Sequence, residues 1–191
     1  MTAPSSAPAL ADRYWIAALL RAAVALAAAA IITFSSNHSA PLGLDVFGGF
    51  AIITGIVGGV GAFAIVDRVV RGISIAQGVF GVVAGVFALA LNGSGLGVLL
   101  YTVSVWAALT GFAELYCGIR VRGRALISRD WLIAGGLTVI LAIVYLLIPA
   151  DSVLAVGLFG AYAAVIGVYL GIGAFSLKWA ETTHETAGNH A

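Results

Sequence analysis

The amino-acid sequence predicts an all-α integral membrane protein with six transmembrane helices. Of its 191 residues, 62% are hydrophobic and only 9% are charged, whereas charged residues make up about a quarter of an average soluble domain. The chain contains six long apolar runs. Each run is long enough to cross a hydrocarbon core of roughly 30 Å at about 1.5 Å per residue. A water-soluble surface cannot be made from this composition.

Taken in chain order, each apolar run is predicted to be one transmembrane helix. The runs lie at residues 14–34, 42–66, 73–91, 96–119, 131–148 and 153–179. The connections after the first, third and fifth runs are short, contain turn-forming residues and have no Lys or Arg. This favours tight hairpins between antiparallel neighbours. The predicted parts of the chain are a short cytoplasmic arm at 1–12, a single transmembrane domain at 13–179 and a polar cytoplasmic tail at 180–191.

The first run has a second interpretation, because the stretch at residues 22–34 follows two arginines and resembles the apolar part of a signal peptide. Cleavage of such a peptide would leave five helices. Against this, the run has no convincing small-x-small cleavage site. It is also long enough to span the membrane when residues 14–20 are included. We therefore expect a transmembrane helix here.

Basic residues are distributed unevenly between the two predicted faces of the membrane. Eight lie at one face and none at the other: Arg13, Arg68, Arg71, Arg120, Arg122, Arg124, Arg129 and Lys178. Cytoplasmic loops carry the excess of Lys and Arg in membrane proteins. The pattern therefore predicts that both termini are cytoplasmic.

Residues of similar type recur in three copies at a constant 56-residue interval. Gly55, Gly111 and Gly167 are separated by this interval, and many of the residues around them follow it too. The predicted units are the helical hairpins at residues 13–66, 69–119 and 131–179. Because each hairpin starts and ends at the same face, we expect parallel repeats around a pseudo-threefold axis along the membrane normal. A packed core and a pore along this axis are both compatible with the sequence.

Glycine is frequent in this chain, with 25 residues, and several glycines are spaced four apart within the predicted helices. Helices in lipid associate by close backbone approach, which small residues permit. The candidate helix-packing positions are Gly55, Gly59, Gly81, Gly85, Gly111, Gly167 and Gly171. We expect these contacts within one chain rather than between subunits, because the repeats must bury their own interfaces before any oligomer forms.

Two full charges, Arg21 and Glu114, lie clearly within the predicted helices. An unpaired charge inside a membrane costs a few kcal/mol or more, which makes both residues functional candidates. The 56-residue interval places them at the same level, about 10 and 8 Å from the cytoplasmic ends of their helices, and places Gln77 at this level in the second unit. We predict an intramembrane polar group of Arg21, Glu114 and Gln77. It could be a structural clamp or part of a transport or proton pathway, and Glu114 could instead meet Arg120 or Arg122 in the headgroup region.

Four segments have a characteristic order and spacing: Arg-Tyr-Trp at 13–15 followed by Arg21, FGGFAIITG at 47–55, WAALTGFAEL at 106–115 and FGAYA at 159–163. In these segments the chain resembles the HdeD family of small bacterial six-helix membrane proteins. Together the segments extend over nearly the whole apolar region. The resemblance implies a location in the bacterial plasma (inner) membrane and a role in acid resistance or another envelope stress response.

No catalytic, nucleotide-binding, nucleic-acid-binding or metal-binding motif is present in the sequence. We therefore expect a non-enzymatic protein without a cofactor. Its expected partners are the lipid bilayer and either a second copy of the chain or another membrane protein. Among the possible classes of function, an enzyme has the least support, because the sequence offers no paired catalytic groups and no soluble domain to position a substrate. The alternative to a stress protein is a small channel or transporter for protons or small solutes along the repeat axis.

Overall fold

The computed structural model describes residues 14–122 and 128–188, and these residues form six α-helices and no β-strand. The helices are α1 (Tyr14–Phe34), α2 (Ala40–Gly61), α3 (Arg68–Ala90), α4 (Leu96–Arg120), α5 (Ser128–Leu147) and α6 (Ser152–Gly188). Each contains a stretch that is long and apolar enough to cross a membrane. The predicted all-α architecture with six such helices is confirmed within these residues, and it is that of a multi-pass membrane protein.

Helix α3 begins at Arg68, which is earlier than the apolar pattern predicts. The reason is a side-chain cap: Asp67 Oδ1 accepts hydrogen bonds from the backbone N–H groups of Val69 at 2.9 Å and Val70 at 3.1 Å. A carboxylate in this position satisfies N–H groups that have no partner inside the helix. The bond from Val70 is the main reason that the pKa of Asp67 lies below its ordinary value of 3.8.

Helix α6 differs from the sequence prediction at its other end. The prediction ends this helix at Trp179 and assigns residues 180–191 to a polar tail, but the backbone stays helical to Gly188. No glycine or proline occurs between Gly173 and Gly188, and Glu, Lys and Ala in this stretch are strong helix formers. Loss of apolar character therefore does not end the helix. The predicted arm at 1–12, Arg13, Arg124 and residues 189–191 lie outside the described residues.

The six helices form a closed ring in chain order, because each packs on the next and α6 packs on α1. Helix α2 also contacts α4 and α6 across the ring, so the even-numbered helices approach the centre. The most extensive contacts join α2 to α3, α4 to α5 and α6 to α1. The tightest packing therefore occurs between successive predicted hairpins, although the short turns favour tight packing within each hairpin.

Glycine explains these three extensive contacts. A Cβ atom built at Gly55 would lie 2.7 Å from the carbonyl oxygen of Gly78, which shows that the backbones of α2 and α3 nearly touch. On the α4–α5 side a Cβ at Gly111 would lie 3.0 Å from the carbonyl oxygen of Gly135, and on the α6–α1 side one at Gly167 would lie 2.9 Å from Leu26 Cγ. Small residues thus permit the close helix approach that membrane proteins depend on.

The other glycines named from the sequence lie at the same interfaces with varying closeness. A Cβ at Gly85 would lie 2.6 Å from the carbonyl oxygen of Gly48, and one at Gly81 would lie 3.2 Å from that of Ala51. Gly59 and Gly171 have room for a methyl group, since their nearest atoms would be 3.8 and 3.9 Å away. All these contacts are within one chain.

The two ends of the ring differ in charge. We call one end the arginine end; it contains the connections after α2 and α4, and these basic residues flank it: Arg68, Arg71, Arg120, Arg122 and Arg129. The opposite end, with the connections at residues 35–39, 91–95 and 148–151, is the turn end. Arg120 Nε lies 3.4 Å from Asp67 Oδ2, so an ion pair joins two helix termini at the arginine end.

Candidate functional site

A central cavity of about 100 Å³ lies between the helices, and all six helices line it. It extends from Ile65 and Asp130 at the arginine end to Phe50 and Trp106 in the middle of the bundle. The turn-end half lies beyond these aromatic rings and is filled by side chains that are almost fully buried: Leu44, Phe47, Leu99, Val103, Val156 and Phe159. The cavity therefore belongs to one half of the membrane-spanning part only.

Five aromatic rings from the even-numbered helices lie at the inner end of the cavity, and we call them the aromatic floor: Phe47, Phe50, Trp106, Phe159 and Tyr162. Phe50, Trp106 and Tyr162 line the cavity, and Phe47 and Phe159 pack behind them. Four of the ring pairs are edge-to-face with centroids 5.4 to 5.6 Å apart, a favoured geometry for aromatic contacts. Phe50, Trp106 and Tyr162 occupy the same position within their helices, counted from the first helical residue. This places them roughly 15 Å from the turn end, near the middle of a bilayer.

The predicted polar group comes together on the wall of the cavity. Arg21 Nη2 donates a hydrogen bond to Glu114 Oε1 at 3.0 Å, and Gln77 Nε2 donates to the same oxygen at 3.4 Å. Since α1 and α4 stand opposite each other in the ring, the Arg21–Glu114 ion pair crosses the centre of the bundle. Arg120 pairs with Asp67 instead, so the structure brings together the residues that the 56-residue interval aligns.

Burial makes this ion pair energetically important. The side chain of Arg21 is 27% exposed and that of Glu114 is 9% exposed. A buried carboxylate without a partner is strongly unfavourable, and a guanidinium at 3.0 Å offsets much of that cost. Glu114 Oε2 accepts no hydrogen bond from the residues that the structure describes, and Glu114 lines the cavity. One carboxylate oxygen is therefore held by the protein and the other is left for a ligand or water.

Three residues that line the cavity differ in side-chain size although they stand 56 residues apart. They are Gly58, Glu114 and Leu170. A Cβ at Gly58 would meet no atom within 4 Å. Helix α2 thus has no side chain where α4 has a carboxylate and α6 an isobutyl group, and open volume is present at Gly58.

Other polar groups of the cavity were not identified from the sequence. Tyr169 donates to Asp130 Oδ1 at 2.9 Å near the arginine end, and the hydroxyl groups of Thr138 and Tyr162 are 2.9 Å apart beside the floor. In the sequence, Asp130 lies in the connection between the fourth and fifth apolar runs. A signal was available, since Ser74 precedes Asp130 by the repeat interval and also lines the cavity. No such signal exists for Tyr169, because its place on the wall of the cavity depends on how α6 is rotated about its axis.

The described residues contain no group of three or more His, Cys, Asp or Glu side chains that could hold a metal ion. Comparison of the chain with protein-family models, with curated proteins and with solved structures finds no match. Assignment of a function therefore depends on the chemistry of the cavity and on the sequence. That chemistry consists of a charge pair, an amide and several hydroxyl groups above an aromatic floor, which suits binding or passage of a small polar species.

Proposed function

We propose that this chain is a non-enzymatic protein of the bacterial plasma membrane, of HdeD type, that acts in acid or envelope stress. The observation that carries the proposal is the closed centre of the bundle. Within the described residues, the aromatic floor and large apolar side chains beyond it are almost fully buried and fill the centre of the turn-end half, which supports a closed bundle rather than a pore. In the described lining, the hydroxyl groups of Thr54, Thr110 and Thr138 donate to backbone carbonyls, and no Ser, Thr or Cys side chain is paired with a His, Asp or Glu base, as the common acyl-transfer sites require.

The proposed orientation places the arginine end and both termini in the cytoplasm. It is supported by the basic residues that flank this end and by their absence from the turn-end connections. Single cysteines at Asn37 and Arg122, introduced into a Cys117→Ala background, test it, because both positions are exposed at opposite ends. The cysteine at 37 should react with an impermeant thiol reagent in intact spheroplasts and the cysteine at 122 only in inverted vesicles. The reverse result would overturn the orientation.

We also propose that the six helices arose from three copies of one hairpin and keep a pseudo-threefold arrangement. Two observations support this. Gly55, Gly111 and Gly167 each pack against the odd-numbered helix of the neighbouring unit, and three aromatic residues at the same interval have the same position within their helices. An experimental structure in which α2, α4 and α6 cannot be superposed by rotation about one axis would overturn it.

The stress role is tested by deletion and reconstitution together. Deletion of the gene should lower survival after acid or envelope stress, and purified protein in liposomes should move neither protons nor small solutes across a pH step. Survival equal to that of the parent strain under both stresses would contradict the proposed role.

A second candidate function is a transporter for protons or small solutes, and the cavity is the observation that favours it. A site reached from one side and closed toward the other by a layer of side chains is what one state of an alternating-access protein requires. In this case, liposomes should show a flux that Glu114→Gln abolishes, because the carboxylate lines the cavity and forms the ion pair with Arg21. Absence of flux would exclude this candidate.

A further inference from the structure

We propose that the central cavity binds a small neutral molecule of about four non-hydrogen atoms that carries a hydrogen-bond donor beside an acceptor. A short carboxylic acid in its protonated form and a short primary amide both have this chemistry. The proposal depends on neither the stress role nor transport, because it concerns occupancy of the site alone. It is carried by the size of the cavity, by the arrangement of donors and acceptors on its wall and by the charge of its lining.

Size limits the ligand first. A cavity of about 150 Å³ is known to hold benzene, which has six non-hydrogen atoms. The central cavity of about 100 Å³ is two-thirds as large and therefore fits roughly four such atoms. A nucleotide or a sugar does not fit within this volume.

The wall of the cavity presents an acceptor next to a donor. Glu114 Oε2 accepts no hydrogen bond among the described residues, and the neighbouring Gln77 amide nitrogen carries two N–H groups, of which one points to Glu114 Oε1. A ligand O–H or N–H can donate to Glu114 Oε2 while the ligand carbonyl oxygen accepts from Gln77. A methyl group on the same ligand would contact the apolar part of the lining.

Charge selects the neutral form of the ligand. Among the described residues, the full charges that line the cavity are Arg21, which is already paired, and the two carboxylates Glu114 and Asp130. An anion would be repelled by these carboxylates, and a free cation would have to give up most of its hydration in a site with few unoccupied acceptors. A neutral donor and acceptor pair avoids both costs.

The test uses three probes that each have four non-hydrogen atoms: acetamide, acetic acid below its own pKa, and acetone. Saturation transfer from the purified protein to each probe is measured by NMR, with protein-free micelles as the blank. Acetamide and acetic acid should bind with roughly millimolar dissociation constants, as expected for so few atoms. Acetone has the acceptor and the methyl groups but no donor, so its signal should be near the blank. The proposal would be overturned if acetone bound as strongly as acetamide. It would also be overturned if either acetamide or acetic acid failed to bind.

Two leucine variants on the same helix show where the probe sits. Gly58→Leu fills the cavity with the side chain that the third unit carries at Leu170, and should abolish acetamide binding. Gly49→Leu is the matched control, because a Cβ there meets no atom within 4 Å and Gly49 does not line the cavity. It should bind acetamide as the parent protein does. Equal binding by both variants would place the probe elsewhere and overturn the proposal.

Glu114→Gln tests the polar contact separately from the volume. This variant keeps the size of the side chain but removes the charged acceptor, so acetamide should bind about tenfold more weakly, as expected for loss of a hydrogen bond to a charged group. A thermal melt of each variant shows that it is folded at the temperature of the binding measurement. Unchanged binding in folded Glu114→Gln would overturn the assigned role of the carboxylate and with it the proposal.

Discussion

The two halves of the bundle have the same helices but different interiors. In the turn-end half the centre is filled by large apolar side chains such as Phe47, Leu99 and Phe159, which are almost fully buried. In the arginine-end half the same helices carry Gly58 and Glu114 and enclose a cavity. Phe47, Val103 and Phe159, which are 56 residues apart, all carry apolar side chains and fill the closed half. Gly58, Glu114 and Leu170, at the same interval, differ in size and border the cavity.

Truncation in the closed half should have the largest effect on stability. Phe47 is 0% exposed and contacts both Trp106 and Phe159, so Phe47→Ala should lower the free energy of unfolding by about 3 to 5 kcal/mol. Phe112→Ala is the control, because that ring is 62% exposed on the outside of α4. Denaturation in mixed detergent micelles measures both. Equal losses would contradict the view that this half is the packed core.

Two glycines one turn apart on α2 sharpen the comparison. A Cβ at Gly55 would lie 2.7 Å from the backbone of α3, whereas one at Gly58 would enter the cavity. We expect Gly55→Leu to destabilise the protein by about 1 to 3 kcal/mol or more through overpacking, and Gly58→Leu to have little effect on stability. Thermal melts in detergent check this, and a Gly58→Leu protein as unstable as Gly55→Leu would remove the evidence for an open volume there.

Reversal of the ion pair tests whether the arginine-end half is held together by charge. Arg21→Glu and Glu114→Arg should each lower stability by roughly 1 to 2 kcal/mol, a moderate value because Arg21 is partly exposed. The double variant restores opposite charges across the cavity and should recover most of the loss. If the double variant is no more stable than the single ones, the two side chains do not stabilise each other.

The cap of α3 should give the smallest effect and a defined pH dependence. Because its pKa is lowered on folding, Asp67 stabilises the folded protein above its ordinary pKa of 3.8 and loses this contribution as the pH falls through the lower folded value. Asp67→Ala should therefore lower the melting temperature at neutral pH, and its difference from the parent should shrink below pH 3.8. A difference that is constant or larger in acid would contradict this role.

Much of the fold and part of the site could be predicted from sequence. The apolar runs predict the helices because length and composition alone decide whether a segment can cross a bilayer. The 56-residue interval predicts that Arg21 and Glu114 lie at the same level, because antiparallel positions equally far from a turn are level with each other. That argument needs no knowledge of how the helices rotate about their axes.

The other features of the fold and the site depend on how each helix is rotated about its axis and on how its ends are capped. The apolar pattern of the sequence determines neither. These helices are apolar on nearly every side, so the pattern does not indicate which face meets a neighbour. The close approach of Gly55 to Gly78 and the place of Tyr169 in the cavity could not be derived for this reason. The early start of α3 comes from Asp67 and its cap, and the continuation of α6 past Trp179 from helix propensity rather than hydropathy.

The most direct test of the central claim compares solvent access to the two halves. In a Cys117→Ala background, Gln77→Cys places a thiol in the cavity and Val103→Cys places one in the buried core of the turn-end half. Iodoacetamide, a small neutral thiol reagent, should label the cysteine at 77 and should leave the cysteine at 103 unlabelled. Labelling of both at similar rates, or of neither, would contradict a polar cavity that reaches Gln77 and stops at the aromatic floor.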